Sequence, residues 1–143
     1  MKKRILLIGP TGCGKTTLAH ALDGTDRPLR RTQDVIYGPQ TIDTPGAYVE
    51  NTWMYSYLIA TAQNASHILI LVDQSRHQEV YSPGFASSFT KPVIGVITKA
   101  DLALENENYC VQVLKRTGIT EPFFRISLPV GRGIGELKRY LFG

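Results

Sequence analysis

The chain has 143 residues, of which 43% are hydrophobic and 20% charged, with a net charge of +4 at neutral pH. That length suits one domain with its own core, and the composition is that of a globular rather than a disordered chain. The charge is too mild to argue for a nucleic-acid partner, and a phosphate-binding protein carries it without one.

Arg4 to Ile8 is a short apolar run ending at a glycine-rich turn, and reads as a buried strand. Lys15 to Leu22 has helical spacing, with Leu18 and Leu22 four apart. Residues 23–34 are polar and arginine-rich and read as a loop. Val35 to Tyr37 reads as a very short strand, and Gln40 to Asp43 leads into the turn DTPG. A helix is expected over Thr52 to Gln63, a strand over His67 to Asp73, a loop over 74–83 and a short helix over Gly84 to Phe89. Pro92 to Thr98 is a β-branched strand, Leu104 to Thr117 a helix, Phe123 to Ser127 a last strand and Ile134 to Phe142 a last helix. This alternation predicts an α/β fold over residues 1–143 as one domain, with a doubly wound, mainly parallel sheet flanked by helices. Ligands bind such sheets at the carboxyl ends of the strands, where the polar motifs of this chain fall.

Residues 9–16 read GPTGCGKT and match G-x-x-x-x-G-K-[ST] in full. Glycines let this loop turn successive amides toward phosphate oxygens, and the following helix points its positive end at the same anion. The expected nucleotide contacts are Gly9, Pro10, Thr11, Gly12, Cys13, Gly14, Lys15, Thr16 and Thr17. Lys15 sets a cation against the β- and γ-phosphates as the catalytic residue, and Thr16 offers a hydroxyl to Mg²⁺. Asp43 opens D-x-x-G and is expected to hold Mg²⁺ across from Thr16, with the Gly46 amide meeting the γ-phosphate. Residues 98–101 read TKAD. A carboxylate at Asp101 can accept two hydrogen bonds that guanine offers and adenine lacks, while the Lys99 stem lies over the base. Thr98 belongs to the same set, and the backbone of Ser127 and Leu128 is placed to touch the guanine oxygen.

These motifs, in this order, resemble the translation-factor-like class of P-loop GTPases, and the tail ISLPVGRGIGELKRYL looks like the end of the Era-like branch. The short chain, RRTQDV, IDTPGAY and the pair Trp53 and Tyr55 are similar to the EutP/PduV family of ethanolamine and propanediol utilisation. The resemblance implies a Ras-like G domain binding GTP or GDP with Mg²⁺. It also implies a role in bacteria that degrade such substrates in proteinaceous microcompartments, with a microcompartment component or another protein as partner. It implies a first-switch ligand to Mg²⁺, for which Thr32 is the candidate, with Asp34 as the alternative alignment. Thr98 and Leu128 replace the Asn and Ala of the usual pattern.

Ala47 and Tyr48 follow DTPG, where Ras-like enzymes carry a glutamine that orients the attacking water, so slow intrinsic hydrolysis is expected. Two other readings stand beside a GTPase switch. One is a phosphotransferase moving a phosphoryl group from ATP to a small acid or nucleotide; the other is a module that binds nucleotide without turnover. Arg27, Arg30 and Arg31 read as a solvated basic loop, and Tyr48, Trp53, Tyr55 and Tyr57 as aromatics packed partly into the core. Cys13 and Cys110 form no metal or disulfide framework. The apolar run before Gly9 is too short for a signal core, and no stretch approaches the roughly 20 apolar residues of a membrane span. A cytoplasmic protein without a membrane partner is expected.

Overall fold

The computed structural model describes residues 3–25, 34–77, 80–120 and 122–143. Thr32, Arg27, Arg30 and Arg31 lie outside the described residues. Six strands form one sheet: β1 (Arg4–Ile8), β2 (Ile36–Tyr37), β3 (Thr41–Asp43), β4 (Ala65–Asp73), β5 (Val93–Thr98) and β6 (Phe124–Arg125). Their order is β2-β3-β1-β4-β5-β6. All neighbours run parallel except β2, an edge strand antiparallel to β3. The α-helices are α1 (Lys15–Asp23), α2 (Ala47–Glu50), α3 (Tyr55–Ala62), α4 (Glu107–Thr117) and α5 (Ile134–Phe142).

The central strands are apolar on both sides because helices cover both faces. Leu6 and Ile8 of β1, Ile68, Ile70 and Val72 of β4 and Ile97 of β5 pack with Leu58, Cys110 and Leu114 from α3 and α4. The intervening residues Ile5, Leu7, Leu69, Leu71, Ile94 and Val96 point the other way, onto Leu18 and Leu22 of α1 and Leu137 and Leu141 of α5. The period of two along each strand thus sorts one sequence into two cores. Each fully buried leucine or isoleucine contributes about 1.5–3 kcal/mol relative to exposure.

Most elements lie where their sequence periodicity sets them, with altered bounds. The helix expected over Thr52 to Gln63 is a 3₁₀ turn, Thr52–Met54, followed by α3, and the one expected from Leu104 likewise opens with a 3₁₀ turn, Leu104–Asn106, before α4. The last strand shrinks to Phe124–Arg125. Between β4 and β5 the described residues form only a 3₁₀ turn, Phe85–Ser88, where other crossovers of this sheet carry α-helices. Phe85 compensates by packing against Tyr55, Tyr81 and Phe89, with ring centroids 4.8, 5.6 and 5.3 Å apart, so an aromatic cluster covers the sheet there.

β1 pairs with β3 on one side and with β4 on the other, so the crevice beyond its carboxyl end lies at the point where strand order reverses, the usual ligand position in such sheets. The packing makes a direct prediction. Leu58→Ala, at a fully buried position, is expected to cost about 2–5 kcal/mol in urea unfolding. Ile59→Ala, one residue on and 37% exposed, is expected to stay within about 0.5 kcal/mol.

Candidate functional site

The turn from β1 into α1 is residues 9–14, with Gly12 and Gly14 at φ 82° and 95°, a region closed to most side chains. Three successive carbonyls of this turn are held from outside. Thr11 O accepts from Arg76 Nη2 at 3.0 Å, Gly12 O from Lys99 Nζ at 3.0 Å and Cys13 O from the Thr98 hydroxyl at 2.7 Å. Carbonyls turned outward leave the opposite side of the loop to amides, which is the geometry of an anion-binding nest. α1 begins at Lys15, so its N-terminal amides converge on the same space.

Below the loop, Thr16 and Asp43 face each other, with the Thr16 hydroxyl donating to Asp43 Oδ2 at 2.7 Å. Lys15 Nζ lies 3.8 Å from Asp43 Oδ1, and both side chains are buried. A hydroxyl and a carboxylate side by side are hard oxygen donors that suit Mg²⁺ completed by phosphate oxygens and water. Among the described residues no group of three or more His, Cys, Asp or Glu stands together.

Gly46 of D-x-x-G is pressed against the loop: a Cβ there would overlap the backbone nitrogen of Thr11. α2 follows at once and brings Glu50 back to the same residue. Thr11 N–H donates to Glu50 Oε2 at 3.2 Å and the Thr11 hydroxyl to Oε1 at 3.3 Å.

On the far side of the loop, a pocket of about 270 Å³ is lined by Gly14, Thr17, Thr98, Lys99, Asp101 and Leu128, with Leu102, Ile126 and Pro129. Asp101 at its mouth is exposed, and its Oδ1 accepts the Ser127 hydroxyl at 2.7 Å while Ser127 is fully buried. Lys99 occupies a left-handed backbone conformation, φ 55°, which is costly for a non-glycine residue and is held by its neighbours.

Those neighbours centre on Asp73, buried at the end of β4. Lys99 Nζ donates to its Oδ2 at 2.9 Å and Arg76 Nε at 3.2 Å, while the Ser75 amide and hydroxyl donate to Oδ1 at 2.8 and 2.6 Å. Burial alone pushes this carboxyl up, but the Ser75 hydroxyl and the Lys99 ammonium outweigh it and hold it below the usual carboxylate range.

Apart from Thr32, which lies outside the described residues, the expected site residues stand at the carboxyl ends of the strands, though several make contacts other than those expected. Thr98 borders the pocket, but its hydroxyl is engaged by Cys13 O, so it ties β5 to the loop. Cys13 turns its thiol into the core, where burial pushes it up to about 11, and its amide donates to Pro10 O at 3.2 Å. Pro10 is buried beneath the turn. The Ser127 amide, expected to meet a base, donates to Arg132 O at 2.9 Å instead. Trp53 and Tyr57 do not enter the core: they are 70% and 49% exposed and touch edge-on, whereas Tyr48 and Tyr55 pack against it. Trp53 lies within the 3₁₀ turn and Tyr57 in the first turn of α3. Glu50, Asp73 and Arg76 were not anticipated. Asp73 had a signal, since it ends a parallel strand just as Asp43 does.

The profile of a family described as "Ethanolamine utilisation - propanediol utilisation" matches residues 2–142. The propanediol utilization protein PduV of Citrobacter freundii is 39% identical over 140 residues, spanning 97% of this chain and 93% of that protein. A protein named probable acetate kinase EutP, from Escherichia coli K12, is 34% identical over 142 residues, spanning 97% of this chain and 89% of that one. Among solved structures, Era in complex with MgGDPNP and a segment of 16S ribosomal RNA superposes with a TM-score of 0.69 at 24% identity, over 97% of this chain and 55% of that one. The fold is thus that of P-loop GTPases.

Asp73 gives the site a pH signature. Its folded-state carboxyl lies below the ordinary 3.8, so its stabilisation is complete above that value and is lost as the pH falls through the folded value. Asp73→Asn is expected to cost about 1–3 kcal/mol at pH 7. In urea titrations repeated across pH, it is also expected to lose part of the wild type's decline below about pH 4. An equally steep acid decline in the variant would show that another carboxylate is responsible.

Proposed function

The chain belongs to the PduV-EutP family of ethanolamine and propanediol utilisation, and from that premise we propose that it binds GTP or GDP with Mg²⁺ and hydrolyses GTP slowly, as a nucleotide-dependent switch or accessory factor in that metabolism. The observation that carries the reading is the Asp101–Ser127 pair at the mouth of a pocket continuous with Gly14 and Thr17. One carboxylate oxygen is fixed by the buried serine, which orients the group to accept the paired N–H donors of guanine. Adenine would leave that carboxylate without its donors. The Lys99 stem and Leu128 form the walls, and the Leu128 backbone would meet the base oxygen.

The phosphates would lie on the amides of Gly12 and of residues 14–17 with the Lys15 ammonium against them. Thr16 and Asp43 are the residues that would hold Mg²⁺, which when bound neutralises charge on the β- and γ-phosphate oxygens. Thr32 remains the proposed first-switch ligand. In the reaction a water oxygen bonds to the γ-phosphorus as the bond to the β–γ bridging oxygen breaks. The electron pair stays on GDP, and the water's proton leaves to a base or to solvent. Ala47 stands where an orienting glutamine would be, which supports a low intrinsic rate. On this reading residues 1–143 act as one cytoplasmic nucleotide-binding unit, and its partner is a microcompartment component or another protein.

A second reading has an observation of its own: the relative named probable acetate kinase. The same loop can deliver a phosphoryl group to a carboxylate oxygen, which then replaces water as the acceptor.

Displacement of fluorescent GDP by GDP, GTP, ADP and ATP, with and without Mg²⁺, tests the reading. Guanine nucleotides are expected to win by about a hundredfold or more, and Asp101→Ala to abolish the preference. Thr16→Ala is expected to remove the Mg²⁺ dependence of GTP binding. Equal competition by ADP and ATP would overturn the guanine assignment. With γ-labelled nucleotide, label released as inorganic phosphate supports hydrolysis, whereas label on added acetate supports the kinase. Binding with neither assigns a module without turnover.

A further inference from the structure

α2 begins at Ala47, where the orienting glutamine is missing, and Glu50 follows three residues later, one helical turn on and along the same face. Its carboxylate is the acidic group that α2 carries back to the loop, bound to both the amide and the hydroxyl of Thr11. Thr11 is also the residue against which Gly46 is pressed. Gly46 belongs to D-x-x-G, the segment that meets the terminal phosphate on the proposed reading, whereas the base pocket opens beside Gly14 and Thr17. Glu50 therefore stands at the γ-phosphate end of the loop, and it is exposed there.

We propose that Glu50 is the catalytic residue that takes the place of the missing glutamine, accepting a hydrogen bond from the attacking water and receiving its proton. This rests on the proposed nucleotide reading. In the step, the water oxygen bonds to the γ-phosphorus, one water proton passes to a Glu50 carboxylate oxygen, and the bond between the γ-phosphorus and the bridging oxygen breaks with its electron pair left on GDP. Glu50 then yields the proton to the departing phosphate or to solvent, and the carboxylate is restored.

The surroundings suit a carboxylate in this place. Both Thr11 donors reach it, at 3.2 and 3.3 Å, which orients the carboxylate and leaves other lone pairs for water. The Arg76 guanidinium on Thr11 O brings a positive charge to the same residue, which offsets repulsion between Glu50 and an approaching γ-phosphate. Asp43 is unsuited to the role, because it is buried against Thr16 and Lys15.

A residue that merely braces the loop would weaken ground-state and transition-state ligands alike; one that acts on the attacking water affects only the latter. The test is single-turnover hydrolysis of Mg·GTP by wild type, Glu50→Ala and Glu50→Gln, with affinities for GDP alone and for GDP with Mg²⁺ and aluminium fluoride, a mimic of the transferring phosphoryl group. Glu50→Ala is expected to lower the rate by about tenfold or more and to weaken the fluoride complex to match. GDP affinity is expected to stay within about twofold. Glu50→Gln, whose amide oxygen still accepts from water, is expected to recover part of the loss. An unchanged rate in Glu50→Ala, with GDP bound normally, would overturn Glu50 and leave the nucleotide reading standing. An equal loss of GDP and fluoride affinity would reduce Glu50 to a brace. Failure of the wild type itself to bind guanine nucleotides would remove the underlying reading and this proposal with it.

Discussion

The arrangement depends on three consecutive carbonyls being pulled outward. A peptide unit that turns its C=O one way turns the N–H of the following residue the other, so the inward-facing amides of Gly12 and Gly14 depend on Thr11, Gly12 and Cys13 having partners behind them. Those partners are Arg76, Lys99 and Thr98, more than sixty residues away in the chain. They reach the loop because β4 lies beside β1 and β5 beside β4, all in parallel register, with Asp73 opposite Thr98. The shape of the loop is therefore stored in the ends of neighbouring strands as well as in its own glycines.

Two cations on adjacent carbonyls would repel each other without a counter-charge. Asp73 supplies it: one buried carboxylate oxygen takes Lys99 and Arg76 together, and the other is occupied by Ser75. Each interaction with a charged group contributes about 1.5–3 kcal/mol where it is well buried. The exposed halves of Lys99 and Arg76 contribute less, through solvent screening. The same contacts hold Lys99 in its left-handed conformation, which turns the next residues, Ala100 and Asp101, toward Ser127. The loop and the Asp101 pocket are in this way joined through a single side chain.

Much of this was legible in the sequence, because the contributing residues are contiguous. GPTGCGKT, DTPG and TKAD each sit at the end of an apolar run, and the strand periodicity that marks those runs also sets the two cores. What escaped was whatever depends on pairing across the chain. Asp73, Gln74 and Arg76 look like an ordinary polar exit from a strand until β5 is placed beside them, and then Gln74 Nε2 bridges Ala100 O and Leu102 O at 3.0 and 2.8 Å. Thr98 reads as a base contact because it opens TKAD, yet its hydroxyl faces the loop. Trp53 and Tyr57 share helical spacing, but Trp53 falls in a 3₁₀ turn and Tyr57 in α3 with both rings in solvent, and propensity alone gives no warning of the 3₁₀ turn.

The segment after Gly46 differs in kind from the rest of the site. A four-residue helix cannot sustain itself, since nucleation costs more than so few hydrogen bonds return. α2 is held by Val49, buried in the core, and by the bonds of Glu50 to Thr11, which at 3.2 and 3.3 Å are long and open to solvent. Such bonds contribute about 0.5–1.5 kcal/mol each, far less than the buried network around Asp73. Local stability therefore falls from the β4 and β5 side of the loop toward α2. A rigid scaffold for an anion with one weakly held acidic segment on its rim is the distribution a ligand-sensitive element requires, because an anion bound on the loop changes the balance for Glu50 without disturbing the strands that hold the loop in shape.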